Sequence, residues 1–303
     1  MPAAIAYPEL YSCGVKLDDD HLGPMKESVA SEGAETLRDR MDRDGYLLLR
    51  GLLDTDKVLS ARRRVLQQLQ DEGQLDPSVP MMEGKARPDS KLFFNPEFAK
   101  KENNPELQEL LYAPDGELMQ FFESFLGGEV AHFTYTWLRC ITGKATPSHC
   151  DIVYMGRGTR RLYTAWVPLG RAHFENGGLC VLEDSHKNER LQKTYGARDV
   201  DSYCINREND PAKTANGLNG WLTEDANRIR RQLGQRWLVS EYEPGDIVIF
   251  CMDLVHGGLD NRSDKLRLSS DSRYQLASEP IDERWIGENP VGTSAAGKRG
   301  RVC

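Results

Sequence analysis

The sequence predicts a mainly β protein with helical flanks, built as a jelly roll or sandwich. Two features carry that expectation. Up to Gly128 apolar residues recur at helical spacing, whereas beyond it they gather into short β-branched and aromatic runs with turn chemistry between them. Strands that follow one another without regular intervening helices pair antiparallel, so a parallel α/β sheet is disfavoured.

The first 30 residues show no periodicity and are expected to wrap the surface. Leu37 and Met41 then mark a short amphipathic helix, and Gly45-Tyr-Leu-Leu-Leu-Arg50 reads as a buried strand ended by Gly51. Asp54 or Thr55 can cap a second helix, in which Val58, Ala61, Val65 and Leu69 line one face before Gly73. A third helix carries Leu118, Phe121, Phe122 and Phe125 at i, i+3, i+4, i+7 and stops at Gly127-Gly128. Its aromatic stripe reads as core. Residues 130–141 form one long strand-like run, followed by runs at 162–169, 178–182, 246–251 and 266–276. Residues 187–236 interrupt this series with a polar stretch, clearly helical at 224–232, in the manner of a lid-like insertion. One domain over 1–303 is expected, with a mixed flank (1–129), a β core (130–276) and a tail (277–303).

Composition narrows the function classes. Lys plus Arg is 39 against 47 Asp plus Glu, a net charge of −8, so the chain is a poor general binder of nucleic acid. No apolar run approaches the ~18–20 residues that span a bilayer. The N-terminus lacks a basic start, and Pro8 and Glu9 interrupt its only apolar stretch, so no signal peptide is expected. None of the seven cysteines sits in a C-x-x-C pair, which argues against a zinc ribbon or a disulfide framework. Free thiols in a reducing cytoplasm are expected.

The chemistry rests on few residues. There are six histidines, and His149-Cys150-Asp151 forms H-x-D. On an extended segment positions i and i+2 share a side, so the imidazole and the carboxylate can meet one metal ion. His173-Phe174-Glu175 is a second such pair, and a third ligand must separate them. His256 supplies it. It is expected to end the strand that follows the Glu243-Pro-Gly-Asp246 turn, with a hairpin returning Arg267 beside it. Alternation then places Arg267, Ser269, Asp271 and Arg273 on one face, natural for the lining of a wet cavity inside a barrel. Two histidines and one carboxylate with open positions form the ligand set of non-haem Fe(II) oxygenases. An arginine nearby offers the forked donor that suits the distal carboxylate of 2-oxoglutarate. His173 and Glu175 read as polar loop residues, His132 and His186 as structural, and Arg273 as either a cavity charge or an anchor.

Several motifs recur together in order. They are H-x-D, the Asn176-Gly-Gly-Leu turn before a strand ending in Ser185-His186, Pro244-Gly-Asp before the distal histidine, and Arg267-Leu-Ser269 eleven residues after it. On these the chain resembles the phytanoyl-CoA dioxygenase family of Fe(II)/2-oxoglutarate oxygenases over residues 33–275. The resemblance implies a double-stranded β-helix, a cupin-like jelly roll. It implies His149, Asp151 and His256 as iron ligands, Arg267 and Ser269 as the 2-oxoglutarate clamp, and Trp166 near the cosubstrate. The family's Pro-Gly-Ser-His reads Glu183-Asp184-Ser185-His186 here, which alters a turn and no ligand. Because Asp151 retains the carboxylate, halogenation is disfavoured.

The expected function is a dioxygenase that uses Fe(II), 2-oxoglutarate and O₂, releases succinate and CO₂, and hydroxylates an aliphatic C–H of a small molecule. Desaturation and cyclisation are variants of that outcome. The rivals are a non-catalytic metal- and 2-oxoglutarate-binding sensor and a cupin-like metalloenzyme using another metal without 2-oxoglutarate. Residues 187–236 hold ten Lys/Arg against seven Asp/Glu, and Arg157, Arg160, Arg161 and Arg171 follow the proposed ligands. Basic groups so placed would steer an anionic substrate.

Overall fold

The structure, a computed structural model, describes residues 6–90, 92, 95–200, 220–290 and 292–293. A helical layer packs on one face of a large sheet, and a smaller sheet packs on the other. The helices are α1 (Ala34–Asp44), α2 (Thr55–Asp71), α3 (Pro105–Tyr112) and α4 (Glu117–Leu126). Asp54 caps α2, its carboxylate accepting from the Lys57 amide at 2.9 Å, and Gly127 closes α4 in the left-handed conformation. The sequence pattern had not disclosed α3, which starts on a buried Asn104 cap followed by Pro105.

The larger sheet contains β4 (Glu27–Ser28), β5 (Tyr46–Leu49), β11 (Ile247–Cys251), β8 (Tyr163–Pro168), β13 (Arg267–Leu276) and β6 (Val130–His132) in that order. A further strand, β7 (Trp137–Ile141), also pairs with β13. The smaller sheet runs β12 (His256–Gly258), β9 (Leu179–Leu182), β10 (Trp237–Val239), β3 (Leu22–Pro24). This is a jelly roll with helical flanks, as expected from the sequence.

Alternation explains why the central strands are apolar at every position. On β5, Leu47 and Leu49 face the helices, while Tyr46 and Leu48 face the smaller sheet. Ile247 and Ile249 against Val248 and Phe250 on β11 repeat the division. The aromatic stripe of α4 is core, with Phe122 and Phe125 fully buried and Phe122 stacked on Tyr274 at 4.1 Å.

Four sequence expectations are corrected. Residues 130–141 are two strands rather than one, both pairing with β13. The first 30 residues do more than wrap the surface: β3 pairs in parallel with β10, and β4 with β5, so each sheet gains an edge strand from them. A short hairpin of β1 (Tyr11–Ser12) and β2 (Val15–Lys16) precedes these. His256 does not end the strand begun at Asp246. That strand stops at Cys251, and the chain crosses to the other sheet before His256 opens β12. Finally, β12 and β13 are not a hairpin; they belong to opposing sheets and meet across the cavity. The 187–236 insertion contains the helices Glu189–Thr194 and Ala226–Leu233, and β10 begins directly after it; 201–219 lies outside the described residues.

Asp260 ties the N-terminal hairpin to the rim of the jelly roll. Its carboxylate accepts from the amides of Cys13 (2.8 Å), Gly14 (2.6 Å) and Ala145 (2.9 Å), and its own amide donates to the Tyr11 carbonyl at 2.7 Å. Ser12 donates to the Gly258 carbonyl at 2.8 Å. Among the described residues no helix is long and apolar enough to cross a membrane.

Candidate active site

Between the two sheets lies a cavity. Its walls include Arg139 from β7, Trp166 from β8, Phe250 from β11, His256 from β12, and Arg267 and Arg273 from β13. Inward positions on β11 are aromatic or apolar, β8 turns Trp166 and Thr164 inward, and those on β13 are polar or charged. The expected polar face is therefore inside the molecule: Arg267, Ser269, Asp271 and Arg273 are all buried.

His149 and His256 line this cavity, and Asp151 converges with them, one possible ligand atom from each lying within 4.8 Å of the others. The His149 amide donates to the His256 carbonyl and the His256 amide to the His149 carbonyl, each at 3.0 Å. Each Nδ1 is engaged by a backbone carbonyl, Pro147 at 2.8 Å and Leu254 at 3.1 Å, which turns both Nε2 atoms toward Asp151. Asp151 Oδ1 stands 3.7 Å from each Nε2. The two imidazole centroids are 4.3 Å apart.

The H-x-D pair does not meet by strand alternation. Asp151 has helical angles (φ −67, ψ −26) at the entrance to a short helix, α5 (Ile152–Met155), so a turn rather than a pleat brings its carboxylate round. Cys150 packs into the neighbouring apolar cluster, where its thiol meets the Asp253 carbonyl at 3.4 Å.

Protonation suits metal ligation. Burial pushes His149 down to about 3 and lowers His256 as well, so both imidazoles are neutral at pH 7. Burial alone would raise the Asp151 carboxyl. The Arg273 guanidinium, then the two imidazoles and the Thr164 hydroxyl, override it and hold Asp151 below the usual carboxylate range. A buried, deprotonated carboxylate beside two neutral, oriented imidazoles fits a hard divalent cation such as Fe(II).

Arg267 fits the other half of the expectation. It is 3% exposed, and among the described residues it forms no ion pair with any carboxylate. Its Nη1 donates to Ser269 Oγ at 2.6 Å, while Nε is buried without a partner. Burial, with Arg139 nearby, lowers it to about 10, which leaves it charged. A buried cation lacking a counter-ion fits a carboxylate ligand. Trp166 lies on the same wall, edge-on to Tyr242 with 4.8 Å between centroids.

The other candidates fall elsewhere. His173 and Glu175 line a separate surface groove, where His173 Nε2 lies 3.0 Å from Glu243. His132 stacks on Tyr112 at 4.1 Å, and His186 sits beneath Gly45 with Nε2 on the Asp42 carbonyl at 3.1 Å. Sequence reasoning missed Arg139 and Thr164. Arg139 donates to Asp271 at 2.7 Å and to Thr146 at 3.2 Å, and Thr164 donates to Asp151 Oδ2 at 2.5 Å. Both could have been found by alternation, since Arg139 lies two residues from Trp137 and Thr164 two from Trp166.

Comparison with known proteins agrees with this geometry. Residues 41–269 match the family phytanoyl-CoA dioxygenase (PhyH). A 1-deoxypentalenic acid 11-beta-hydroxylase of Streptomyces exfoliatus is 27% identical over 248 residues, covering 78% of this chain and 79% of that protein. The fold is similar to the non-heme alpha ketoglutarate dependent carbocyclase SnoK from nogalamycin biosynthesis (TM-score 0.56, 18% identity, 86% of this chain and 89% of that one). It is also similar to EctD from S. alaskensis with 2-oxoglutarate and 5-hydroxyectoine (TM-score 0.54, 21% identity, 84% and 80%). The chain belongs to the phytanoyl-CoA dioxygenase family of Fe(II)- and 2-oxoglutarate-dependent oxygenases.

Proposed function

We propose that this chain, acting as one domain, hydroxylates an aliphatic C–H of a small molecule. In this reading His149, Asp151 and His256 hold Fe(II), Arg267 and Ser269 hold the distal carboxylate of 2-oxoglutarate, and Trp166 packs beside the cosubstrate. The observation that carries it is the pairing, in one cavity, of a neutral-imidazole and carboxylate triad with a buried arginine that lacks a counter-ion. Bound iron supplies a centre at which O₂ reduction is coupled to conversion of 2-oxoglutarate into succinate and CO₂. The chain's own contributions are to orient the imidazoles through Pro147 and Leu254, to keep Asp151 ionised, and to exclude water with Trp166 and Phe250. The 1-deoxypentalenic acid hydroxylase relative supports hydroxylation as the outcome.

The charge argument for an anionic substrate moves to a different residue. Arg157, Arg160, Arg161, Arg171 and Arg230 each pair with a carboxylate within 3.0 Å, and Arg231 lies 3.6 Å from Asp18, so these groups offer little net field. Arg139, the most exposed of the three cavity arginines, is the cation a substrate anion would meet, with its charge partly offset by Asp271 at 2.7 Å. A cytoplasmic setting is supported by the five described cysteines, all free thiols.

The test is succinate formation in air with Fe(II) and 2-oxoglutarate, measured with and without candidate carboxylic acid substrates. Succinate that depends on both additions, with product gaining one oxygen from ¹⁸O₂, supports the reading. No succinate under any addition would support a sensor instead.

A further inference from the structure

Arg273 is the last charged residue on the inward face of β13, and the reading above uses it only to keep Asp151 ionised. It is 3% exposed, its Nη2 donates to Asp151 Oδ2 at 2.9 Å, and its guanidinium lies 3.9 Å over the Trp137 ring centroid. Thr164 donates to the same Oδ2 at 2.5 Å. The Asp151 carboxylate is thereby divided. Oδ2 carries two donors, while among the described residues no donor reaches Oδ1, which faces both histidine Nε2 atoms at 3.7 Å.

A carboxylate with two free oxygens can bind a cation through either or both. Two-oxygen binding would take up one of the positions that a two-histidine, one-carboxylate centre leaves open for its reactants. We infer that Arg273, with Thr164, is a positioning residue that restricts Asp151 to ligation through Oδ1 and so preserves an open position; this rests on the assignment of Fe(II) to the triad. Trp137 fixes the guanidinium by stacking on its face, which leaves the in-plane N–H edge directed at the carboxylate. The cost of the arrangement is visible: Arg273 Nε and Nη1 are buried without hydrogen-bond partners. A residue placed only to staple β13 would have its donors satisfied. The cation also balances the buried Asp151 charge, which an uncharged donor in its place would not do.

The experiment uses the full chain, anaerobically, with Fe(II) and then 2-oxoglutarate added. It reads iron affinity, the weak visible charge-transfer band of the iron–2-oxoglutarate complex, and melting temperature, followed by aerobic kinetics. Arg273→Gln should retain iron binding within about tenfold while the band shifts or weakens and kcat falls by about 10- to 100-fold, the range for lost outer-shell partners. The KM for 2-oxoglutarate, set by Arg267, should stay within about threefold of the original. Thr164→Val should move band and kcat in the same direction, and Arg273→Lys should recover part of both, since an ammonium can still reach Oδ2. An unchanged band and kcat in Arg273→Gln overturns the inference. So does a loss that follows melting temperature and is absent from Thr164→Val, which would mark a purely structural role. If Arg273→Gln does not fold, Thr164→Val decides alone, and an unchanged band there overturns the inference. A native protein that shows no band at all refutes the iron assignment itself, a result distinct from a native band that the variants preserve.

Discussion

His149 and His256 are antiparallel bridge partners, each donating its amide to the other's carbonyl at 3.0 Å. The backbone thus sets the separation of the two imidazoles before any ligand arrives. Asp151 is held instead by side chains, its carboxylate accepting from Thr164 and Arg273.

Metal removal should therefore leave the fold intact. Chelator-treated protein should keep its far-UV circular dichroism, and added Fe(II) should raise the melting temperature only by mass action, with about 2.7 kcal/mol gained at a hundredfold excess over Kd. Collapse of the spectrum on chelation would mean that the metal organises the site. The charge-transfer band should be lost in His149→Ala; a band that survives places the iron elsewhere.

Arg267→Ala should raise the KM for 2-oxoglutarate by roughly 30- to 1000-fold, equivalent to about 2–4 kcal/mol for a charge-assisted, buried contact. Arg267→Lys should recover only part, because an ammonium lacks the planar fork. An unchanged KM in the alanine variant assigns the distal carboxylate to another residue.

Gly177 has φ +72, and a Cβ there would lie 2.2 Å from the Leu259 carbonyl oxygen. The adjoining Gly178 carbonyl accepts from the Leu259 amide at 2.8 Å, so this turn sets how β12 lies on β9. Gly177→Ala should cost at least about 2 kcal/mol in urea unfolding. A change below the error of that measurement would show that the turn can shift.

His132 gives a test of pH dependence away from the metal. Burial lowers it below its ordinary value, opposed by its hydrogen bond to the Phe133 carbonyl. Above the unfolded value of about 6.5 both states are neutral there. As the pH falls below that value the unfolded chain takes up a proton that the folded chain resists, so stability is lost through the window down to the lower folded value. The melting temperature should fall between pH 7 and 5, and by less in His132→Phe, which preserves stacking on Tyr112. Equal slopes would remove His132 from the account.

The sequence disclosed most where one element buries a whole pattern. Tyr46–Leu49 and Ile247–Cys251 are apolar on both faces because helices cover one side and the smaller sheet the other. The proposed triad and Arg267 could be singled out from the order of motifs in the sequence, but the strand alternation and the hairpin expected to bring them together are not what the fold uses. What stayed hidden depended on distant partners. The strands β3 and β4 are two or three residues long and owe their conformation to β10 and β5 rather than to periodicity. His256-Gly257-Gly258 carries one side chain beyond Gly, so nothing local distinguishes a crossing to the second sheet from a continued strand. Arg273 acquired a role only once the Asp151 carboxylate stood beside it.

The family match opens at residue 41, yet β3 and β4, at Leu22–Pro24 and Glu27–Ser28, close one margin of each sheet. A chain trimmed to the matched residues would leave β10 and β5 with a row of unpaired amides and carbonyls, which templates association between molecules. It would also strip Asp260 of the Cys13 and Gly14 amides beside the Gly258 wall of the cavity. The opening residues thus act as a selvedge: they finish the cloth, and cutting them off invites one molecule to fray into the next.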